Sequence, residues 1–399
     1  MEGKKGPAFL WDKSNIWGVM AWRSFASMGV DIHLLTAEEI GRGALDGHNL
    51  LFVPGGWAAE KKEALGDEGV GAICDFVARG GAYLGVCGGA GLGLEEPDGL
   101  GLAPVGRGKG LPNFSGPIRT IWKSHPDMDW TPGQIVAPVW WPGNFHIKNR
   151  GQVRVLAEYG APEPGFMVAD LVAEDVRRHG GFGEWEKEYG IELDPGRLQG
   201  APCVVEADFG QGRVALSYLH LETPGFEEAR RALLALMESM AGPLPSVAVP
   251  STPDECATGN MAMALLDMVE DFNQFGQSNF LWTRRNEWLI RWRRGIRGIE
   301  YCALMELARE VAYGSDNDIP GEYVERLSGF FGKAKKLLMA ERMAMAQGSL
   351  ELYKCVDSRL GAMRGELFGN KRRPGGEYIE ILSETEALLL PLLKKGGRK

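Results

Sequence analysis

The stretch GGAYLGVCGGAGLG at residues 80–93 sets a single cysteine among seven glycines. An apolar run, AYLGVC, ends in that cysteine, and a helix-like GGAGLGL follows it. Few backbones fit this order. A strand must turn sharply into a helix with Cys87 at the bend, and Gly85 and Gly89, two residues to either side, keep neighbouring atoms from colliding there. A core cysteine needs no such setting, whereas a thiol that must be presented to a substrate does. The following helix N-terminus would favour a thiolate and aim amide N–H groups at developing negative charge.

Around this unit the first part of the chain alternates two kinds of segment. AFLWD, DIHLLT and NLLFVPGG read as strands, the last an apolar run stopped by proline and two glycines. Residues 15–28 read as a helix capped by Ser14 or Asn15, and GVGAICDFVARGG as a helix with Ile73, Phe76 and Val77 on one face. Short apolar strands separated by helices imply a mostly parallel sheet covered on both faces, an α/β domain. From residue 106 to about 150 the pattern is rich in Gly, Pro and Trp and reads as loops with antiparallel additions. QVRVLAEY and PCVVEADFGQGRVALSYLH are late strands, the second a hairpin turning at Gly210-Gln211-Gly212. A helix over 226–240 closes a domain spanning 1–242. The proline-dense 243–253 reads as a linker, and 254–399 as an all-helical C-terminal domain with helices over 254–272, 278–313, 320–346, 350–364 and 377–393.

A length of 399 residues agrees with two domains. The chain is 44% hydrophobic and 24% charged, as in soluble globular proteins. No run reaches the roughly 18 apolar residues of a membrane span. The charged N-terminus has too brief an apolar piece for a signal peptide, so a cytoplasmic location is expected. Six cysteines lie scattered without a CxxC pair, which argues against a disulfide framework or a zinc ribbon. No metal or cofactor is expected. Residues 1–249 carry 22 basic and 32 acidic side chains, and the remainder 22 and 21. All six histidines precede residue 221, so any imidazole chemistry belongs to the first domain.

A thiol of ordinary pKa, ~8.5, is mostly protonated near neutrality and needs a base. ALSYLHLETPG supplies His220 at a strand end with Glu222 two residues on, and residues two apart on a strand share a side. The carboxylate can hold the imidazole tautomer while the ring faces the sulfur. Alone, such a pair is more often a solvated loop pair. Its place after the last long strand, with the elbow upstream, favours the catalytic reading. VPGG at 53–56 can bring backbone N–H groups toward a substrate oxygen, with Gly88 N–H as a second donor, or can be a plain strand-ending turn. GRGKG at 106–110 has the composition of a phosphate cradle but lacks the strand-to-helix context that one requires.

The order FVPGG, FVARGGAYLGVCGG, LSYLHLE resembles the class I glutamine amidotransferase-like superfamily. Within it the sequence is most similar to the domain at the N-terminus of some biotin–protein ligases, a likeness that WWPGNF at 140–145 and VRVLAEY extend. It covers about residues 7–242. The resemblance implies a flavodoxin-like fold, Cys87 as nucleophile, His220 as base, Glu222 as orienting acid, and Gly55, Gly56 and Gly88 lining an oxyanion site. Two positions depart from the amidotransferase pattern: Gly91 stands where G-x-C-x-G-x-Q has its glutamine, and Leu221 where H-P-E has its proline. Biotin transfer is not expected, because the ligase's own catalytic motifs are missing.

In the second part, FLWTRRNEWLIRWRRGIRG holds six arginines against one glutamate with three tryptophans interleaved. This could serve stacking on nucleic acid or an anionic membrane. With the domain's charge near balance, the preferred reading is an amphipathic helix whose tryptophans pack on neighbours while its arginines pair with acids. Contact with nucleic acid or membrane is therefore not expected. The sequence leaves two functions open. One is a cysteine hydrolase or acyl-transfer protein acting on a small-molecule amide or related acyl compound. The other is a catalytically silent ligand-binding or regulatory module whose helical domain mediates protein association or homo-oligomer formation.

Overall fold

The apolar runs of the first part form β1 (Ala8–Leu10), β2 (His33–Leu35), β3 (Leu50–Val53) and β4 (Ala82–Val86). They are followed by β5 (Val105–Arg107), β6 (Phe114–Trp122), β7 (Gln134–Trp140), β8 (Phe145–Ile147), β9 (Val153–Pro162), β10 (Met167–Val168) and β11 (Leu171–Val172). The hairpin strands β12 (Pro202–Phe209) and β13 (Gly212–Ser217) come last. The structure is a computed structural model and describes residues 5–111, 113–130, 132–247, 259–315, 319–347, 358–370 and 373–396. The chain divides into two compact units, 1–250 and 251–399.

In the first unit β2, β1, β3, β4 and β13 run parallel in that order. This is the order of a flavodoxin-like sheet, and the winding reverses between β1 and β3. β1 and β3 carry Phe9 and Phe52, whose rings stack at 5.4 Å, with Phe25 of α1 (Asn15–Ser27) edge-on to Phe52 at 4.9 Å. Two further helices link the strands: α2 (Ala37–Gly41), started by a capping box in which Thr36 and Glu39 exchange hydrogen bonds, and α3 (Ala58–Ala78), broken at Gly66 (φ 57°).

Beyond β13 the sheet continues antiparallel through β12, β9 and β6, and β6 also pairs β7 and β10. The segment expected as loops with additions thus holds two long paired strands. Pro117 and Pro138, which cannot donate to a ladder, stand opposite each other in the β6–β7 register and hid both strands from their sequence pattern. α4 (Gly88–Gly93), α5 (Ala173–Arg178), α6 (Phe182–Tyr189) and α7 (Glu227–Ala241) complete the unit. Part of the expected linker belongs to it: Asp31 N donates to Pro245 O at 3.1 Å and Val247 N to Gly29 O at 2.8 Å. The rest of that linker, 248–253, lies outside the described residues.

The second unit is not all-helical. It contains α8 (Asn260–Ser278), α9 (Gly298–Gly314), α10 (Gly321–Ala346), α11 (Ser358–Phe368) and α12 (Gly376–Gly396). Between α8 and α9, however, stands a hairpin, β14 (Trp282–Arg284) with β15 (Ile290–Trp292), where one long helix was expected over 278–313. Trp282 pairs Trp292 and Arg284 pairs Ile290 across it. Asn286 Oδ1 accepts from the amides of Trp288 and Leu289 at 2.9 and 2.7 Å, closing the turn as an Asx side chain does. The Trp282 ring presses on Gly276, where a β-carbon would stand 1.9 Å away. Trp282 is buried and Trp292 lies against Gly298, and Arg284 and Arg297 pair with Glu306 and Glu300 at 3.1 and 2.9 Å. Residues 254–258 of the helix expected over 254–272, and 350–357 of that expected over 350–364, lie outside the described residues. No described helix is long and apolar enough to cross a membrane.

Candidate functional site

Three neighbouring parallel strands end side by side, each carrying one part of the predicted site. Val53 of β3 pairs Gly85 of β4, and Val86 of β4 pairs Ser217 of β13. Their C-terminal ends therefore bring Pro54-Gly55-Gly56, Cys87 and the segment 218–222 to one edge of the sheet, beside the point where the winding reverses.

Cys87 has φ 52° and ψ −105°, a strained setting for a residue with a side chain. It persists because the surroundings fix it. Its amide donates to Ser217 O at 2.7 Å, Gly91 N returns to its carbonyl at 2.9 Å, and Gly89 N donates to Pro54 O at 3.1 Å. A β-carbon at Gly85 would stand 2.3 Å from Gly89 O, and one at Gly89 would stand 1.9 Å from Val53 O. The glycines on both sides of the cysteine are therefore required by contact as well as by conformation. Cys87 is half-buried, whereas Cys203 and Cys302 are buried.

Gly88 lies against Gly56: a β-carbon on Gly88 would fall 1.9 Å from Gly56 O. The Gly88 amide follows the thiol and has no backbone acceptor, since it is the Gly89 amide that ties the elbow to Pro54. Gly55 backs onto the indole of Trp17, 2.7 Å from where its β-carbon would be. Of the three glycines predicted to line the site, Gly56 and Gly88 touch each other and Gly55 seats Trp17.

His220 and Glu222 are both fully buried. His220 Nδ1–H donates to Glu222 Oε1 at 2.7 Å, and His220 N donates to Pro138 O at 3.0 Å, which fixes the loop to β7. Trp17 lies over the imidazole with centroids 4.7 Å apart, and Trp141 meets Trp17 edge-on at 6.1 Å. Burial, the largest influence on the ring, pushes it toward neutrality. Glu222 and then Cys87 outweigh that and raise its pKa from 6.5 to about 10. Cys87 is thus near enough to act on the imidazole by charge and by hydrogen bond, although the buried Nε2 has no well-aligned partner. Such contacts are commonly loose before substrate binds. The solvated-loop alternative for His220 and Glu222 does not hold, because neither side chain reaches solvent.

Residues that sequence reading did not single out complete the surroundings. Lys61 is fully buried, with Nζ donating to Ser14 Oγ at 2.6 Å and Asp12 O at 3.1 Å, and so holds the turn after β1 beside Gly56. Tyr218 packs on Phe145 at 4.5 Å, and its buried hydroxyl lacks an aligned partner. Tyr218 stands two residues before His220, the one signal that could have found it. Among the described residues no group of three or more His, Cys, Asp or Glu is placed to hold a metal ion.

No family model matches the chain, and no curated protein matches it. Solved structures do. A protein described as a GMP synthase subunit, from Thermoplasma acidophilum, is 16% identical with a TM-score of 0.36, covering 60% of this chain and 96% of its own. A ThuA-like protein from Bacteroides uniformis ATCC 8492 is 11% identical with a TM-score of 0.39, over 60% and 93%. A β-galactosidase from Bacillus circulans sp. alkalophilus is 14% identical with a TM-score of 0.36, over 59% of this chain; the chain spans 31% of that enzyme.

Proposed function

We propose that the first unit is a cysteine-dependent hydrolase or acyl-transfer enzyme acting on a carboxamide or related acyl compound. The observation that carries this reading is the buried His220–Glu222 pair at 2.7 Å with its free ring nitrogen beside a half-buried cysteine in a strained elbow. In the proposed reaction the Cys87 S–H proton passes to His220 Nε2, and Sγ attacks the acyl carbon as the thiolate, forming a C–S bond while the carbonyl oxygen takes negative charge. The Gly88 amide, with backbone near Gly56, donates to that oxygen. The C–N bond then breaks, and His220 gives its proton to the departing amine, leaving a thioester. Water attacks the thioester as His220 takes one of its protons, the C–S bond breaks, and His220 returns that proton to the sulfur as the acid departs. Glu222 keeps the ring oriented and offsets its charge. The finer likeness to the biotin–protein ligase N-terminal type belongs to this proposal and rests on WWPGNF, whose Trp140 and Trp141 flank Trp17.

The test is intact-mass analysis after brief treatment with chloroacetamide, a small carboxamide electrophile. One adduct at Cys87, abolished in Cys87→Ala and strongly slowed in His220→Asn, supports the reading. Equal, slow labelling of Cys87 and Cys74, the other half-buried cysteine among the described residues, would leave the unit a ligand-binding module.

A further inference from the structure

The elbow helix has an empty face at Gly91, one turn from Cys87, and Arg107 fills it. The guanidinium Nη2 lies 3.0 Å from where a β-carbon at Gly91 would stand, and the Gly91 amide is bonded to the Cys87 carbonyl. Arg107 ends β5, opposite Phe145 of β8, and Phe145 packs on Tyr218. Register and stacking thus bring an arginine, a phenol and the thiol to one place. Among the described residues the Arg107 guanidinium forms no salt bridge; the nearby Glu96 carboxylate accepts from its backbone amide instead, at 3.1 Å. Tyr218 is 7% exposed, and its hydroxyl makes no aligned hydrogen bond. Burial raises the phenol to about 12; Arg107 opposes the rise by charge and hydrogen bond, and Cys87 and Glu96 add to it, so all three lie near the same oxygen.

An exposed guanidinium that forms no ion pair among the described residues stands beside a buried hydroxyl without an acceptor, both at the nucleophile. Both are satisfied by a planar anion, which a guanidinium can bind through two N–H groups. We propose that Arg107 and Tyr218 bind a carboxylate carried by the acyl substrate, so that the enzyme selects acyl compounds bearing a negative charge near the reacting carbon. This deepens the Cys87–His220–Glu222 reading and rests on it. It also gives a use to the GRGKG segment: its arginine serves the cysteine site, while Lys109 is paired with Glu192.

The experiment compares alkylation of Cys87 by iodoacetate and iodoacetamide, reagents of nearly equal size that differ by one charge. Each forms the S–C bond with loss of iodide. In the full chain the iodoacetate-to-iodoacetamide rate ratio at Cys87 should exceed that of the half-buried Cys74. Arg107→Gln should lower the ratio about tenfold, the scale of one charge-assisted hydrogen bond. Arg107→Lys should restore part of it, and Tyr218→Phe, which keeps the ring, should lower it a few-fold. Acetate should protect Cys87 from iodoacetamide, and Arg107→Gln should remove the protection. A ratio unchanged by all three substitutions overturns the carboxylate site while leaving the nucleophile intact. Protection by inorganic phosphate alone would also overturn it. Failure of both reagents to label Cys87 would instead refute the catalytic reading and this inference together.

Discussion

Glu222→Gln isolates the charge that governs His220. The substitution keeps an oxygen able to accept from Nδ1 but removes the carboxylate that raises the ring. The wild-type rise from 6.5 to about 10 corresponds to about 5 kcal/mol favouring the imidazolium, and with both groups fully buried no solvent discount applies. In linkage terms a raised histidine contributes stability that is complete below pH 6.5 and lost as pH climbs through about 10. The wild type should therefore lose stability across that window, by up to about 1.4 kcal/mol per pH unit. In Glu222→Gln only Cys87 is left to oppose burial, so the ring should be neutral by pH 8 and the decline over this window should shrink. The assay is ¹⁵N-histidine NMR from pH 5 to 10, with the His220 signal assigned by its absence in His220→Asn. The wild-type ring should stay doubly protonated through pH 8, and the variant ring should not. A wild-type ring already neutral at pH 8, or a variant titrating as high as the wild type, would refute the reasoning.

Glycine contacts predict opposite outcomes at two positions. Gly89→Ala drives a β-carbon into the Val53 carbonyl and should cost about 3 kcal/mol or more, whereas Gly71→Ala, in α3 with open space around it, should stabilise by roughly 0.5–1 kcal/mol; thermal unfolding of both variants tests the pair. In the second unit burial raises Glu341 from 4.5 to about 7 against the pull of Arg364. Its protonated form is the one the fold favours, so stability is present below pH 4.5 and falls as pH rises through 7, by about 3 kcal/mol in all. Glu341→Gln should flatten that decline in unfolding curves taken at pH 5 and pH 8. Trp282→Ala removes a ring that is 2% exposed and packed on Gly276, and should cost about 3–5 kcal/mol in the unfolding of the second unit.

Much of the candidate site was legible because its demands are local. A cysteine that needs an unusual φ must have glycines about it, and a histidine two residues from a glutamate on one strand end must share its side; both statements follow from spacing. The parallel strands were legible too, since runs such as LLFV and AYLGV are buried on both faces and need no alternation. The hairpin at Trp282–Trp292 was not. Its arginines, leucines and tryptophans suit a helix as well as a strand, and the choice fell to Asn286 closing a turn and to Gly276 and Gly298 admitting two indole rings. β6 and β7 were obscured in a similar way, by prolines that only their mutual register makes acceptable.

The sequence by itself determined that a thiol sits at a strand-to-helix bend and that a histidine–carboxylate pair ends a later strand, because bond geometry and side-chain alternation act over a few residues. Only the tertiary structure decided that these ends lie side by side, that Trp17 covers the imidazole, and that Arg107 occupies the space left by Gly91. Those juxtapositions join residues far apart in the chain, and strand register and close packing, which no local pattern encodes, set them.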